Sequence, residues 1–310
     1  MLYGNVEKIF LFVLIFTQIS CLTANATELY FVDAHSQVDH NLVPIDKIIS
    51  LMDATGVRQT ILSARGNLKG GNLLKLTKRN PGKITPAVRT KGDPYDTNSQ
   101  QYYEILKKQI TTKRYHAMAE VLIYHAQKGE KAPEVAVLPN DKRVEVALNY
   151  AIDNGWPFVA HIEFASLQGQ QKKKFMRAFK QMLNQHPEQP FVLTHMGQLS
   201  AERCLRLITN HKNIYFHTGW TNPAAVEGSN QPWTDVFSGE LLAPEWKELF
   251  TQHPERFIFA LDNVFAEHWS DFYQKQMDYW KRGLAELPED VAHLIAHGNA
   301  ERLWGLQKNR

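Results

Sequence analysis

Four side chains that could hold a divalent metal ion stand at the C-terminal ends of short apolar runs in this sequence. They are His35, His161, His195 and Asp262. Imidazole nitrogens and carboxylate oxygens are ligands that zinc-type ions take in proteins, and three or four must converge within about 2.3 Å of the ion. A single histidine in such a place is more often structural. Four at matching places make a metal-dependent enzyme the leading hypothesis.

Eight apolar runs in all end on, or close to, a polar or ionisable residue. If the runs are parallel strands, their C-terminal ends surround one small volume, where an α/β barrel builds its active site. Strands one and eight are neighbours in a closed barrel, which would bring His35 and Asp262 together. The runs are 30–35, 59–65, 83–90, 116–125, 157–164, 190–197, 213–220 and 256–263.

Helix-like segments with apolar residues at helical spacing alternate with these runs. This alternation predicts a parallel sheet, and eight units favour its closure. The sequence therefore predicts an α/β protein, a single-domain (β/α)8 TIM barrel, which needs roughly 250 of the 310 residues. The predicted helices are 44–56, 69–79, 98–111, 141–154, 170–186 and 200–210, then a helical tail through 280 and a last helix at 299–306.

Two segments are longer than ordinary loops. Residues 125–139 follow the fourth run and residues 221–244 follow the seventh, and both contain proline and glycine. Long loops at this end of a barrel usually form the walls of the pocket, and that is the role predicted for them.

The composition is that of a soluble globular protein, with 44% hydrophobic and 22% charged residues. A net charge of +3 gives no support for a nucleic-acid partner, which would require a basic patch or stripe. A small-molecule substrate is the expected partner. The oligomeric state stays open, a homo-oligomer included.

The N-terminus has the features of an export signal. Lys8 precedes an apolar stretch at 9–16, and Ala24 and Ala26 stand at the two positions that a signal peptidase reads. The stretch is shorter than the roughly 20 residues of a membrane span, so no stable membrane insertion is expected after cleavage. We therefore predict a signal peptide at 1–26, a barrel at 27–310, and a periplasmic or secreted protein. An uncleaved N-terminal anchor is the alternative.

An ordered set of motifs resembles the amidohydrolase superfamily, specifically its amidohydrolase-related branch of metal-dependent hydrolases and decarboxylases. The resemblance spans about residues 29–306. The motifs are Asp33-Ala34-His35-Ser36-Gln37, Ala160-His161, Leu193-Thr194-His195-Met196-Gly197, Ala260-Leu261-Asp262-Asn263 and Gly298-Asn299-Ala300-Glu301-Arg302-Leu303.

The resemblance implies a role for each matching residue. His35, His161 and Asp262 would bind one divalent metal ion, most simply zinc, and Asp262 would also shuttle a proton. His195 would be a catalytic acid or base, or a ligand. Gln37 departs from the family pattern, which has a second histidine there. Its amide oxygen is a weaker ligand for zinc-type ions, so metal binding by Gln37 is doubtful.

Five further residues are candidate substrate-binding groups. Arg65 and Arg89 end the second and third runs and could grip a substrate carboxylate, although a salt bridge at the barrel rim is the equal alternative. Glu120 could lie beside the metal or pair with one of these arginines. Glu163 shares a strand face with His161, as a ligand, a base or an ordinary ion-pair partner. The fifth, at position 217, is a histidine that could line the pocket.

The sequence is compatible with two classes of function. The first is an exported metal-dependent hydrolase of a small amide, ester or lactone, with a non-oxidative decarboxylase of a small aromatic or unsaturated acid as runner-up on the same scaffold. The second is a catalytically impaired barrel that binds a ligand or a partner, and Gln37 favours it.

We expect the exported protein to begin close to Thr27, because Ala24 and Ala26 flank the cleavage site. N-terminal sequencing checks this, and replacing both alanines by leucine should block cleavage. An intact Met1 terminus in the membrane fraction would show that the segment is an anchor.

Overall fold

The computed structural model describes Met1 and residues 29–39, 42–66, 70–129 and 132–306. The predicted signal peptide and its cleavage site lie outside the described residues, apart from Met1. Among the helices of these ranges, none has both the length and the apolar character needed to cross a membrane.

Within the described ranges, eight parallel strands form the centre of the fold, and the fourth strand consists of two consecutive segments. Strands one to four pair in chain order, and strands four to eight do the same, because the first segment of strand four pairs with strand three and the second with strand five. The strands are Phe31–Val38, Val57–Ala64, Ile84–Val88, Ala117–Met118 with Val121–His125, Phe158–Ile162, Phe191–Leu193, Ile214–His217 and Phe257–Ile258.

Backbone hydrogen bonds join the first strand to the chain that continues strand eight. Ala34 N donates to Phe259 O at 3.0 Å, and Asp262 N donates to His35 O at 2.8 Å. The predicted α/β architecture with a parallel sheet is therefore confirmed, and the strands close into a barrel.

Helices follow the strands at nearly the predicted places. Asp141 is an N-cap whose carboxylate accepts from Arg143 N at 2.9 Å, which explains why the helix starts one residue after it. The long helices are Ile45–Thr55, Gly70–Arg79, Gln100–Thr111, Lys142–Asn154, Gly169–Gln185, Ala201–Asn210, Pro244–Gln252 and Asp271–Ala285. Shorter turns of helix are Asp93–Asp96, Thr194–Gln198, Pro223–Glu227, Pro254–Arg256, Ala266–His268, Glu289–His293, Leu294–Gly298 and Asn299–Trp304.

The tail differs from the prediction of a helix running on from Asp262. Its long helix begins only at Asp271, because the preceding residues form the cavity edge and a short turn, and it ends at Ala285. The predicted last helix is Asn299–Trp304. Its Ala300 and Trp304 pack with the alanines and valines inside the barrel, so this helix closes the end of the barrel opposite the strand C-termini.

The two long segments carry small elements of their own. Val135–Ala136 adds an antiparallel strand beside strand four. The second segment contains the helix Pro223–Glu227 and a hairpin of Phe237–Ser238 with Leu241–Leu242. These contacts hold both segments over the C-terminal ends of the strands.

The carboxylate of Asp33 is fully buried at the seam where strands one, two and eight meet. It accepts from Leu261 N at 2.9 Å, from Ser36 Oγ at 2.6 Å, from Thr60 Oγ1 at 3.0 Å and from His35 N at 3.3 Å. The register of strand one shifts between Asp33 and Ser36, which is the segment that carries His35. Asp33 therefore fixes the segment from which the first candidate ligand projects.

Replacing Asp33 by alanine should lower the free energy of unfolding by about 4 kcal/mol, because four buried donors each lose an acceptor worth about 1 kcal/mol. Urea denaturation checks this. Thr60→Val is the matched control, since it removes one of the four donors and should cost about 1 kcal/mol. Equal losses in the two variants would mean that water replaces the carboxylate.

Candidate functional site

A cavity of about 500 Å³ opens at the C-terminal ends of the strands. Both long segments contribute to its walls, as predicted, through Lys128 and Trp233. Among the predicted site residues, its lining includes Arg65, Glu120, His161, His195 and Asp262.

Several residues at the mouth of the barrel have left-handed backbone conformations. His195 has φ 55°, Trp220 has φ 56° and Asp262 has φ 51°. Such angles cost a non-glycine residue roughly 1–2 kcal/mol and are concentrated at functional sites. Each of these residues comes two to four residues after a strand ends, and its side chain lines the cavity.

Asp262 lies between two of the candidate histidines. Its Oδ1 is 3.4 Å from His35 Nε2, and its Oδ2 is 3.4 Å from His195 Nε2. His195 Nδ1 lies 2.9 Å from the carbonyl oxygen of Gly219, to which it donates, so the Nε2 that faces Asp262 is free of a proton in the neutral ring. All three side chains are buried.

Glu120 connects this group to His161. One carboxylate oxygen is 2.7 Å from His161 Nδ1, and the other is 3.7 Å from His35 Nε2. Three sets of side chains in the described part of the chain have ligand atoms close enough together to hold an ion. Two of them share Glu120: one adds His161 and His195, the other His35 and Asp262. The third set consists of His125, His161 and Glu163. The sequence suggested only that Glu120 could lie beside the metal or contact the substrate, whereas the structure puts it among the candidate ligands.

The donor set fits a zinc-type ion. His35 Nε2 is buried without a hydrogen-bond partner in the described structure, as expected of an atom directed at a ligand. Around it stand imidazoles and carboxylates, the groups that zinc prefers. The bond from His195 to Gly219 supplies the outer contact that orients a metal-binding imidazole.

Gln37 also faces this centre. Its Nε2 lies 3.3 Å from Glu120 Oε1 and 3.3 Å from Asp262 Oδ1. Two neighbouring carboxylates attract an amide donor, so the amide nitrogen and not the oxygen points at them. In this arrangement Gln37 donates hydrogen bonds to two candidate ligands, Glu120 and Asp262, and helps to fix their positions.

His161 has a carboxylate at each ring nitrogen. Its Nε2 lies 2.9 Å from Glu163 Oε1, opposite the contact to Glu120. Burial alone would lower the pKa of His161, but the attraction of Glu120 and Glu163 outweighs it and raises the pKa to about 8. Burial would raise the pKa of Glu163, but His161 and Lys128 hold it well below the usual range. Glu163 is thus an ionised partner of both.

The pKa of Asp262 is suited to accepting a proton near neutral pH, whereas the pKa of His195 is too low for that role. Burial, with the nearby Glu120 carboxylate, raises the pKa of Asp262 to about 6. Burial and the neighbouring His161 lower the pKa of His195 to about 3. At neutral pH Asp262 is therefore mostly ionised and His195 is neutral.

The structure separates the two predicted arginines. Arg65 lines the cavity, with its guanidinium 4.4 Å from the ring centre of Phe265. Arg89 lines an adjacent cavity of about 620 Å³ and donates to the carbonyl oxygens of Gly66 at 2.8 Å and Lys91 at 3.1 Å. The two guanidinium groups therefore do not meet in one cavity to grip a carboxylate.

His217 lies behind the candidate ligands and outside the cavity lining. Its ring centre is 5.7 Å from that of His35 and 5.3 Å from that of His195. Its Nδ1 accepts from Gly219 N at 3.2 Å, which fits a supporting position better than the predicted contact with substrate.

The sequence analysis did not identify three residues of the cavity lining, which are Lys91, His125 and Lys128. Lys91 forms an ion pair with Glu120, and Lys128 forms one with Glu163. Lys128 Nζ also lies 2.9 Å from His125 Nε2. Lys91 comes two residues after Arg89, at the end of strand three, and could have been suspected from that position. Lys128 stands in a long loop, where nothing in the sequence distinguishes it from an exposed lysine.

Replacing Gln37 by histidine should tighten zinc binding, because an imidazole beside Glu120 and Asp262 is a better ligand than an amide. Titration of the metal-free protein in competition with a chelator measures the affinity. Gln37→Asn, a shortened amide, is the control and should bring no gain. Unchanged affinity in Gln37→His would show that position 37 does not reach the ion.

Zinc uptake by the metal-free protein should strengthen from pH 6 to about 8 and then level off. Below the raised pKa of His161 the ring keeps a proton that an ion must displace, and above it that cost is gone. Chelator competition across this range measures the trend. In Glu163→Gln, which loses one carboxylate partner of His161, the rise should move to lower pH. A flat profile would exclude His161 as a ligand.

Comparison with solved structures shows the same fold at low sequence identity. An uncharacterised TIM-barrel protein from Bordetella bronchiseptica has a TM-score of 0.59 at 13% identity, over 90% of this chain and 99% of that one. A 4-oxalomesaconate hydratase from Rhodopseudomonas palustris has 0.54 at 13%, over 89% and 95%. An amidohydrolase from Burkholderia multivorans with bound zinc has 0.50 at 12%, over 90% and 100%.

Comparison with curated proteins gives no match. The model of the amidohydrolase family, however, matches residues 131–306, more than half of the chain. The matched part contains His161, His195 and Asp262, which the structure brings together with His35 and Glu120. This protein belongs to the amidohydrolase family.

Proposed function

We propose that the protein is a metal-dependent hydrolase acting on a small amide, ester or lactone. The observation that carries the proposal is the meeting of three histidines and two carboxylates at the mouth of the barrel, in two sets that share Glu120. Such a buried set of unlike donors would be costly to keep without a function, because buried ionisable groups are stable only when paired or bound to a metal.

The ion would be held by side chains drawn from His35, Glu120, His161, His195 and Asp262. Zinc is the first choice, because the donors are imidazoles and carboxylates. The zinc-containing amidohydrolase of the same fold supports that choice. When bound, such an ion acts as a Lewis acid that polarises a carbonyl group and makes water a stronger nucleophile.

Asp262 takes the proton of the attacking water in this proposal and returns it to the leaving group. Its pKa of about 6 leaves it ionised at neutral pH, yet close enough to that pH to release the proton again. His195 Nε2, 3.4 Å from the same carboxylate and without a proton at this pH, accepts a hydrogen bond from the attacking water.

The walls of the cavity indicate the kind of substrate. Arg65, Lys91 and Lys128 bring positive charge to the lining, and Trp220 and Trp233 bring flat aromatic surface. In this proposal Arg65 alone binds the substrate carboxylate, a role that the sequence predicted for both Arg65 and Arg89. A small molecule with a carboxylate near the scissile bond would satisfy these groups.

The same walls support a second candidate, non-oxidative decarboxylation of a small aromatic or unsaturated acid. That reaction also needs a carboxylate held beside the ion, and a hydratase shares the fold. A panel of lactones, amides, esters and unsaturated acids, tested with the zinc-loaded protein, distinguishes the two by product. Export to the periplasm or medium remains part of the proposal.

A catalytically impaired barrel would behave differently in one measurement. An enzyme of the proposed kind contains a stoichiometric ion that is lost in His161→Ala. A protein that carries no ion, folds normally and turns over no member of the panel would instead be a binding protein.

Asp262→Asn should reduce turnover at least about 100-fold, the lower end of what a general acid–base group supplies. The amide keeps the size of the side chain but cannot accept a proton at neutral pH. Circular dichroism checks the fold, and zinc analysis separates loss of the base from loss of the ion. His268→Asn, also at the cavity but away from the candidate ligands, is the control. Near-normal turnover in folded Asp262→Asn would exclude it as the base and favour His195.

A further inference from the structure

The two carboxylate oxygens of Glu120 face different sets of candidate ligands. Oε2 is 2.7 Å from His161 Nδ1, in the set that includes His195. Oε1 is 3.7 Å from His35 Nε2, in the set that includes Asp262. By its donors alone the centre could therefore accept an ion on each side of Glu120.

The His35 side of Glu120 is already occupied by two other donors. The ammonium group of Lys91 forms an ion pair with Oε1. Gln37 Nε2 donates to the same oxygen from 3.3 Å. The oxygen through which Glu120 would bind a second ion is thus neutralised by a charged group of the chain itself.

Contacts between the ends of strands three and four hold Lys91 in this place. Arg89 Nε donates to the carbonyl oxygen of Lys91 at 3.1 Å. The hydroxyl of Thr90, the residue before Lys91, donates to the backbone oxygen of Glu120. The Lys91 side chain is only 21% exposed, so its ammonium is directed inward at the carboxylate.

The net charge of the centre favours the binding of one divalent ion over the binding of two. Glu120, Glu163 and Asp262 are the carboxylates of the three sets, and Lys91 and Lys128 are paired with two of them. A single divalent ion already makes the net charge of these five side chains positive, and Arg65 adds further positive charge to the same lining. A second ion would add two more positive charges beside a buried ammonium group, where uncompensated charge is strongly disfavoured.

We propose that Lys91 is a tethered cation that takes the place of a second metal ion, so that the centre binds one divalent ion per chain. The inference rests on the proposed function, in which this centre binds a zinc-type ion. It assigns to Lys91 a role in metal stoichiometry, apart from any contact with substrate.

The test is a zinc count on folded, full-length protein. Metal-free wild type, Lys91→Met and Lys91→Arg are dialysed against the same free zinc concentration, and bound zinc per chain is measured. The double variant Glu120→Gln/His161→Ala, which removes a ligand from each of the three sets, gives the zinc bound elsewhere on the molecule. Lys108→Met is the matched control, because Lys108 lines the adjacent cavity with Lys91 and has no described contact with Glu120.

Above the value of this double variant, we expect one zinc in wild type, in Lys91→Arg and in Lys108→Met, and two in Lys91→Met. Lys91→Gln is prepared in parallel and should also bind two, so that the test survives if Lys91→Met does not fold. Two ions in wild type, or one in the folded uncharged variants, overturns the role of Lys91 while leaving metal dependence intact. No ion in wild type overturns both this role and the proposed function.

Discussion

Negative charge buried at the mouth of the barrel is the constraint on which the site depends. Glu120, Glu163 and Asp262 are almost entirely shielded from water, and carboxylates in such a place need positive partners. Lys91 and Lys128 reach in from two different chain segments to pair with the first two. Asp262 has no such lysine, and this difference in partners makes it the carboxylate most easily protonated.

The hydrogen bonds between the first and last strands bring Asp262 close to the other side chains of the site. Asp33 accepts hydrogen bonds from Leu261, Ser36 and Thr60, and these bonds set the position of the segment that carries His35. Asp262 N donates to His35 O across the same seam. Two candidate ligands from opposite ends of the chain therefore come within 3.4 Å through backbone contacts that are independent of any ion.

The eight strands and the main helices could be predicted because each has a clear apolar period, and the strand ends indicated which histidines and which aspartate would meet. The pairing of Lys91 with Glu120, and the separation of Arg65 from Arg89, could not. Successive strand ends point into one volume, but whether a long side chain enters it depends on turns of one or two residues. Arg89 forms bonds to nearby carbonyl oxygens instead, while Lys91, two residues later, reaches the centre.

The left-handed backbone near the mouth of the barrel affects which substitutions this protein tolerates. The positions concerned are His195, Met196, Gln198, Trp220 and Asp262. At these positions glycine and asparagine are accommodated most easily, and β-branched residues least, whatever the side chain does chemically. A valine at Gln198 would thus lose activity through backbone strain and unfolding, although Gln198 belongs to none of the candidate ligand sets of the described residues and accepts its hydrogen bonds from Ser166. Tolerance of glycine, measured against tolerance of valine, separates positions needed for their shape from positions needed for their chemistry.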